Sequence, residues 1–236
     1  MAEGAGLGRR AGTVALWPVG MGLASWRYLW RTSPMHRYDE DGGPQDAGPP
    51  LADDMLDERV QRPEDGAGPF YRRQYSVRIE GSTLVPEQLM ALITENPNRA
   101  VPVEVAVFRK IRGEEGSLAA GDEYLVRMPG PWDGPVRVVA RSATMFRLAT
   151  LRGHLEAGQI EFRVRRDGEA LRFEIESWAR SGDRLSSFLY DRVRVAKEMQ
   201  FHMWMHFCER VGKLAGGRVR GGVEVHTRRL DEVPHA

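Results

Sequence analysis

Cysteine is nearly absent from this sequence, which has one, Cys208, in 236 residues. A single thiol excludes an internal disulfide framework and a metal site built from four cysteines. An excess of charge of one sign is also missing, because 34 basic residues face 33 acidic ones and the formal net charge is +1. The charge balance therefore does not indicate a nucleic-acid partner. We expect a cytoplasmic protein with no cofactor and no metal, in which Cys208 is a small buried apolar residue.

Long apolar runs are missing too. The uncharged stretch 11–26 has 16 residues, short of the ~20 that a membrane-spanning helix needs, and it contains proline and glycine. Three of the six tryptophans lie in or just after it and arginines follow, a combination typical of the membrane–water interface. Segment 1–37 is therefore predicted to attach the protein peripherally to a membrane surface through residues 11–37. A secretory signal, a true membrane span and a short helix packed on the domain remain alternatives.

Two further segments are poor in large apolar residues. Residues 38–69 are rich in proline, glycine and aspartate, and they are predicted to be a linker that cannot fold alone. Residues 216–236 are rich in glycine and arginine, and they are predicted to be a disordered tail. The folded domain is then expected to span residues 70–215.

Alternation of apolar and polar residues predicts the strands of this domain. It begins at Tyr75, with Val77 and Ile79 on the same face, and it returns in later segments joined by short turns. The Asp-Gly pair at 167–168 has the composition of a two-residue hairpin. A short helix opening at Pro86 interrupts the series. The predicted order is strand, helix, about six strands and a final long helix, with antiparallel neighbours favoured by the short connections.

The final helix is predicted from the longest periodic segment, Ser181 to Lys213. Its apolar residues recur mostly at three- and four-residue steps and form one stripe. They are Leu185, Phe188, Val195, Met199, Met203, Phe207, Val211 and Leu214. A sheet with one apolar face needs such a partner, so we predict an α+β fold in which a curved antiparallel sheet of about seven strands wraps round this helix.

This order of elements resembles the helix-grip fold of the START-like (SRPBCC) superfamily, which includes the Bet v 1-type pollen allergens and polyketide cyclases. Residues 150–162 also resemble the hallmark of an uncharacterised branch of it, which reads roughly Gly-Thr-Leu-Pro-Gly-His-Pro-Glu, followed by a Gly-Glu and a Phe. The matching residues are Thr150, Leu151, Gly153, His154, Glu156, Gly158 and Phe162. Ala149, Arg152 and Leu155 depart from it. The resemblance implies the helix-grip fold and an internal cavity, but it brings no established activity.

The inward-facing residues of the predicted strands are all apolar, and the charged residues take the opposite phase, where we expect them to face water. Such an interior is a poor acid–base site but suits a hydrophobic small molecule or lipid. The predicted ligand-binding residues are Val105, Tyr124, Phe146, Phe162, Phe173, Met199, Met203 and Phe207. A fully packed interior remains the alternative. Trp178 is out of phase with Phe173 and Ile175, so alternation does not assign its face.

His154 and Glu156 are the one local pair suited to proton transfer, and they are predicted to lie on a loop between two strands. They are the catalytic candidates, with a purely structural role in the loop as the alternative, because no nucleophile lies near them in sequence. His202 and His206 have metal-ligand spacing, but no Glu follows His202, so no metal site is predicted. Three function classes follow: a lipid-binding module at a membrane, a cyclase or isomerase, and an interaction protein with a filled core. We expect the first, which is not an enzyme.

Overall fold

The computed structural model describes residues 34–101, 106–127, 133–182 and 194–234, without the side chains of residues 194–200 and 202. These ranges hold nine strands and two α-helices. The strands are β1 (Met35–Asp41), β2 (Ala67–Glu80), β3 (Val107–Arg112), β4 (Glu123–Arg127), β5 (Asp133–Arg141), β6 (Met145–Thr150), β7 (Glu156–Asp167), β8 (Ala170–Ser181) and β9 (Arg218–Leu230). The helices are α1 (Pro86–Glu95) and α2 (Arg194–Leu214).

All nine strands form one sheet, in the order β1-β9-β2-β8-β7-β6-β5-β4-β3. Strands β3 to β8 run as an antiparallel meander, as the short connections predict, and β2 pairs antiparallel with both β8 and β9. Only the β1–β9 pair of this described sheet is parallel. The α+β class is therefore confirmed. The sheet has nine strands rather than about seven, because β1 and β9 lie in segments predicted to be outside the folded domain.

Strand β9 corrects the prediction of a disordered tail at 216–236. It pairs with β2 from Glu80 to Phe70, so it occupies a sheet edge that would otherwise leave backbone groups unpaired. Val223 and Val225 give it an apolar face that is completely buried in the core. Apolar burial and backbone pairing together outweigh the cost of ordering this glycine-rich segment.

The predicted linker, residues 38–69, is also ordered in the structure. It begins within β1 and ends within β2. Between the two strands, residues 43–66, which we call the strap, lie on the outer face of the sheet, opposite α2. The strap is fixed to the strands by backbone contacts: Val60 bridges Leu151, and the amide of Gln61 donates to the carbonyl of Thr150 at 2.8 Å.

Charged side chains on the outer face were predicted to face water, and the strap corrects this for several of them. Glu123 is only 3% exposed, and Arg137 is also buried. Arg59 of the strap donates to Glu123 at 2.6 Å, and Arg137 lies 2.8 Å from Glu123 and 2.7 Å from Asp57. Burial alone would raise the pKa of Glu123, but the hydrogen bonds from Arg59 and Arg137 outweigh it and leave the pKa below its ordinary value.

Asp46 holds the other end of the strap. Its carboxylate is fully buried, and it accepts from Arg72 of β2 at 2.7 Å, from Arg228 of β9 at 3.0 Å and from the amide of Gly43 at 2.8 Å. The prediction that the charged strand residues lie on the outer face was therefore correct. The buried ones among them are stabilised by ion pairs with the strap rather than by contact with water.

Replacing Asp46 by alanine should lower the free energy of unfolding by about 2–3 kcal/mol, because Arg72 and Arg228 lose a buried charged acceptor. Urea unfolding of the variant measures this. The control is Asp231→Ala, which removes an exposed partner of Arg229 and should change stability by less than about 0.5 kcal/mol. Equal, small losses in both variants would show that the Asp46 contacts do not stabilise the fold.

Candidate functional site

Helix α2 covers the inner face of the sheet with the predicted apolar stripe. Met203, Phe207 and Val211 of that stripe are buried, and so are Trp204 and Cys208 beside it. The 3.6-residue period places these side chains on one side of the helix, where they join the core formed by β2, β5, β6, β7 and β8. Burial raises the pKa of the Cys208 thiol well above its ordinary value, so the side chain is an unreactive apolar residue.

Five aromatic rings meet between the sheet and α2, and we call them the ring cluster. Phe146 stacks on Phe162 with ring centroids 4.5 Å apart. Phe207 lies 5.3 Å from Phe162 and stacks on Phe173 at 5.7 Å. Trp204 meets Phe162 edge-on at 5.6 Å. The four phenylalanines are at most 2% exposed, so these predicted ligand-binding residues lie together and contact one another.

The other predicted ligand-binding residues are more scattered. Met203 is buried beside the ring cluster in the same core. Tyr124 lies on β4, two strands from Phe146, where its ring meets Phe108 edge-on and the ammonium of Lys110 lies 5.5 Å from it. Burial raises the pKa of Tyr124 above its ordinary value. Val105 and the side chain of Met199 lie outside the described residues.

The inner face carries charge at one end, contrary to the expectation of a wholly apolar lining. Arg73 shares the phase of Tyr75, and its side chain is 13% exposed. Its guanidinium lies 4.4 Å from the ring centroid of Tyr71 and 3.9 Å from the carboxylate of Glu156. Buried Ser177 is its neighbour on β8. Extending the alternation from Tyr75 back by two residues would have found Arg73.

His154 and Glu156 are not paired through their side chains. The Nδ1 atom of His154 accepts from the backbone N–H of Glu156 at 2.9 Å, while the Glu156 carboxylate faces Arg73. The imidazole packs on β5 so closely that a Cβ atom at Gly134 would lie 3.0 Å from it. Burial lowers the pKa of His154 and favours the neutral ring that this hydrogen bond requires. The geometry thus favours the loop-shaping role over proton transfer between the two side chains.

The helix histidines give no metal site in the described part of the chain. The Nδ1 atom of His206 lies 3.1 Å from the Glu209 carboxylate, and the side chain of His202 is outside the description. No group of three or more metal-ligating side chains occurs among the described residues.

Trp178 lies on the outer face, which alternation left unassigned. It is opposite Arg72 and Gln159 on the neighbouring strands, beneath residues 48–50 of the strap. Beside it is a groove of about 290 Å³, lined mainly by apolar side chains of the strap and the sheet. The out-of-phase tryptophan and the Pro49-Pro50 pair were the sequence signals for this concavity.

The family described as "Domain of unknown function (DUF1990)" matches residues 103–210, just under half of the chain. The matched span includes the hallmark-like residues 150–162 and most of α2. No curated protein matches the sequence. The family description carries no activity.

Solved structures that are similar to this chain have low sequence identity. A hypothetical protein from Helicobacter pylori is 8% identical, with 60% of this chain and 86% of that chain covered and a TM-score of 0.45. Ara h 8.0201 is 8% identical, with 62% of this chain and 99% of that chain covered and a TM-score of 0.43. Protein Ms6760 from Mycobacterium smegmatis is 10% identical, with 61% of this chain and 90% of that chain covered and a TM-score of 0.39. These TM-scores are too low to support an argument, so the fold is described from the strand pairing and packing of this chain alone.

None of the helices in the described ranges is both long enough and apolar enough to cross a membrane.

The lowered pKa of His154 predicts a loss of stability in mild acid. The unfolded chain binds a proton near the ordinary pKa of 6.5, and the folded chain binds it only at lower pH. The free energy of unfolding should therefore fall as pH decreases below about 6.5, whereas the loss from Glu123 begins only near its ordinary value of 4.5.

Urea unfolding between pH 7.5 and 5 measures this slope. His154→Gln should flatten it, because glutamine does not titrate in this range. An unchanged slope in His154→Gln would contradict the assignment.

Proposed function

We propose that this chain is a helix-grip domain of the START-like type, and that it binds a lipid-like molecule with a polar head between the sheet and α2. The observation that supports the proposal is the division of the inner face. Most of the described face is apolar beneath α2, and it ends at Arg73, Ser177 and Glu156. An amphipathic ligand needs an apolar wall with a polar group at one end.

Entry of a ligand requires that some of the ring cluster gives way. Burying a methylene group contributes about 0.8 kcal/mol, so a twelve-carbon chain contributes roughly 10 kcal/mol before the costs of association. Displacing one phenylalanine from the core costs about 1.5–3 kcal/mol. The ligand can therefore offset the displacement of one or two rings. Met203 and Met205 are buried residues of α2, and flexible methionine side chains can repack around a ligand.

Arg73 is the residue that we assign to the polar head. Its guanidinium lies on the inner face, 3.9 Å from the Glu156 carboxylate, and a carboxylate or phosphate head that reaches this end of the face would compete for the guanidinium with the acceptors already around it. The cation lies in a partly buried position, where an ion pair is screened less than at the surface. An acidic head is therefore preferred to a neutral one of the same chain length.

Mass spectrometry of an organic extract of the purified full chain should show a co-purifying amphipathic lipid. Titration with dodecanoic acid and with dodecanol, followed by tryptophan fluorescence, should show about tenfold tighter binding of the acid, a difference of about 1.4 kcal/mol. Arg73→Met should remove this preference. The control is Arg78→Met, on the outer face of the same strand, which should retain it.

If no lipid is extracted and neither probe binds, the interior is a filled core and the protein acts through its surface. If both probes bind equally to the wild-type chain and to Arg73→Met, the apolar site stands and the role of Arg73 is wrong.

The tryptophan-rich amino terminus is proposed to hold the domain at a membrane surface. Residues 1–33 lie outside the described residues, and Met35–Arg37 of the predicted anchor belong to β1. Deleting residues 1–33 should therefore leave the sheet intact and abolish co-sedimentation with phosphatidylcholine–phosphatidylserine vesicles. The circular dichroism spectrum of the domain is the control for folding, and unchanged co-sedimentation would exclude the tether.

A further inference from the structure

Strand β1 is an open edge of the sheet. All seven of its residues, Met35–Asp41, are exposed. The backbone N–H of Val223 donates to the carbonyl of Pro34, and the N–H of Gly42 donates to the carbonyl of Arg229. Backbone groups point to alternate sides along a strand, so the even-numbered residues of β1 bond to β9. Every odd-numbered residue, 35, 37, 39 and 41, therefore directs its N–H and C=O away from the sheet.

The sequence of this edge, MHRYDED, is self-complementary in charge. Within one copy Arg37 already pairs with Asp39 at 3.1 Å, and Glu40 pairs with Arg228 at 3.1 Å. When two copies pair antiparallel about Tyr38, the Arg37–Asp39 pair of each copy meets that of the other, so that Arg37 lies opposite the other copy's Asp39 and His36 lies opposite Glu40. The Arg37–Asp39 pairs then fall on outward-pointing backbone groups, so they are hydrogen-bonded pairs. The two Tyr38 rings fall on a non-hydrogen-bonded position, where opposed side chains are closest.

The neighbouring registers that keep the same backbone groups facing each other are shifted by two residues, and they are less favourable. They place Arg37 opposite Arg37, or Asp39 opposite Asp39, and like charges directly opposite are destabilising, although the second of these registers also sets Arg37 opposite Asp41. The register centred on Tyr38 gives four bonded residue positions that exchange about eight N–H···O hydrogen bonds.

We propose that β1 is a dimer interface, at which a second copy of this chain adds its own β1 antiparallel and extends the sheet across a two-fold axis. The proposal does not depend on the ligand site. A self-complementary patch is what a two-fold dimer requires, because each residue meets the same surface that it presents.

The opposite edge, β3, is not available in the same way. The side chain of Asn98 accepts from the N–H of Phe108 at 2.7 Å and donates to its carbonyl at 2.9 Å, so it takes the place of a neighbouring strand. The exposed charged residues of β3, Arg109 and Arg112, are both basic, so this strand offers a second copy of itself no acidic group to pair with. Of the two edges of the described sheet, β1 is the one that combines outward-directed backbone groups with self-complementary charge.

Charge exchange tests the proposal. Arg37→Asp and Asp39→Arg should each be monomeric, because each places like charges opposite each other in its own dimer. An equimolar mixture of the two variants should restore the dimer, since the first supplies only acidic groups at 37 and 39 and the second only basic ones. The double variant, with both exchanges in one chain, should dimerise as the wild type does.

Sedimentation velocity of the full chain from about 1 to 100 µM measures the association, which for one strand pair is expected to have a Kd in the micromolar range. A wild-type chain that stays monomeric over this range would overturn the proposal. Dimers of equal strength in every variant would overturn the register.

Cross-linking provides a second measurement. In the proposed dimer the two Cα atoms of residue 38 are about 4.5 Å apart, within the range of a disulfide. The native thiol, Cys208, is fully buried. Tyr38→Cys should therefore form a covalent dimer under mild oxidation at low micromolar concentration, and the control Ile111→Cys, on the exposed β3 edge, should cross-link at least tenfold less. Equal cross-linking of the two variants would reflect random collision and would contradict the interface.

Discussion

The packing of sheet and helix depends on Phe207, whose ring contacts two neighbouring strands at once. It stacks on Phe173 of β8 and lies against Phe162 of β7, and through Phe162 the contact reaches Phe146 of β6. Each such aromatic pair contributes about 0.5–1.5 kcal/mol beyond the burial of its area. One helix residue thus ties three strands of the meander to α2, and the apolar face of the sheet is closed around it.

The two faces of the sheet are covered differently. Apolar side chains of α2 cover the inner face, whereas the strap covers the outer face both through a small apolar cluster, in which Val60 packs with Leu151, and through ion pairs such as Arg59–Glu123 and Arg72–Asp46. Buried ion pairs gain little net stability, because removing charges from water is costly, but they tolerate few arrangements. The strap is consequently held in one position, and the groove beside Trp178 has walls that are fixed by these pairs.

The sequence predicts the strands and helices better than it predicts which of their side chains are buried by distant parts of the chain. Alternation at Tyr75, Val77 and Ile79 and the hairpin at 167–168 depend on neighbours along the chain, so they could be identified locally. The burial of Glu123 depends on Arg59, 64 positions away along the chain, and no local pattern reports such a partner.

Strand β9 was missed for a related reason. Gly221 and Gly222 adopt positive φ angles of 77° and 84°, which L side chains rarely adopt, and they interrupt the alternation that marks a strand. What makes the segment a strand is the edge of β2, which lies more than a hundred residues earlier in the sequence. At the site, the aromatic lining was recognisable from its phase, whereas the close packing of the ring cluster depends on how four separate segments, β6, β7, β8 and α2, meet.

The position of β9 has a consequence for biosynthesis. It lies between β1 and β2, so the first strand of the described chain joins the sheet only through the last one. Strand β1 therefore has nowhere to dock until β9 has been synthesised, and contacts between such distant positions form slowly. The joining of β1 and β9 is therefore a late step in the folding of this sheet, and it follows the formation of the meander from β3 to β8.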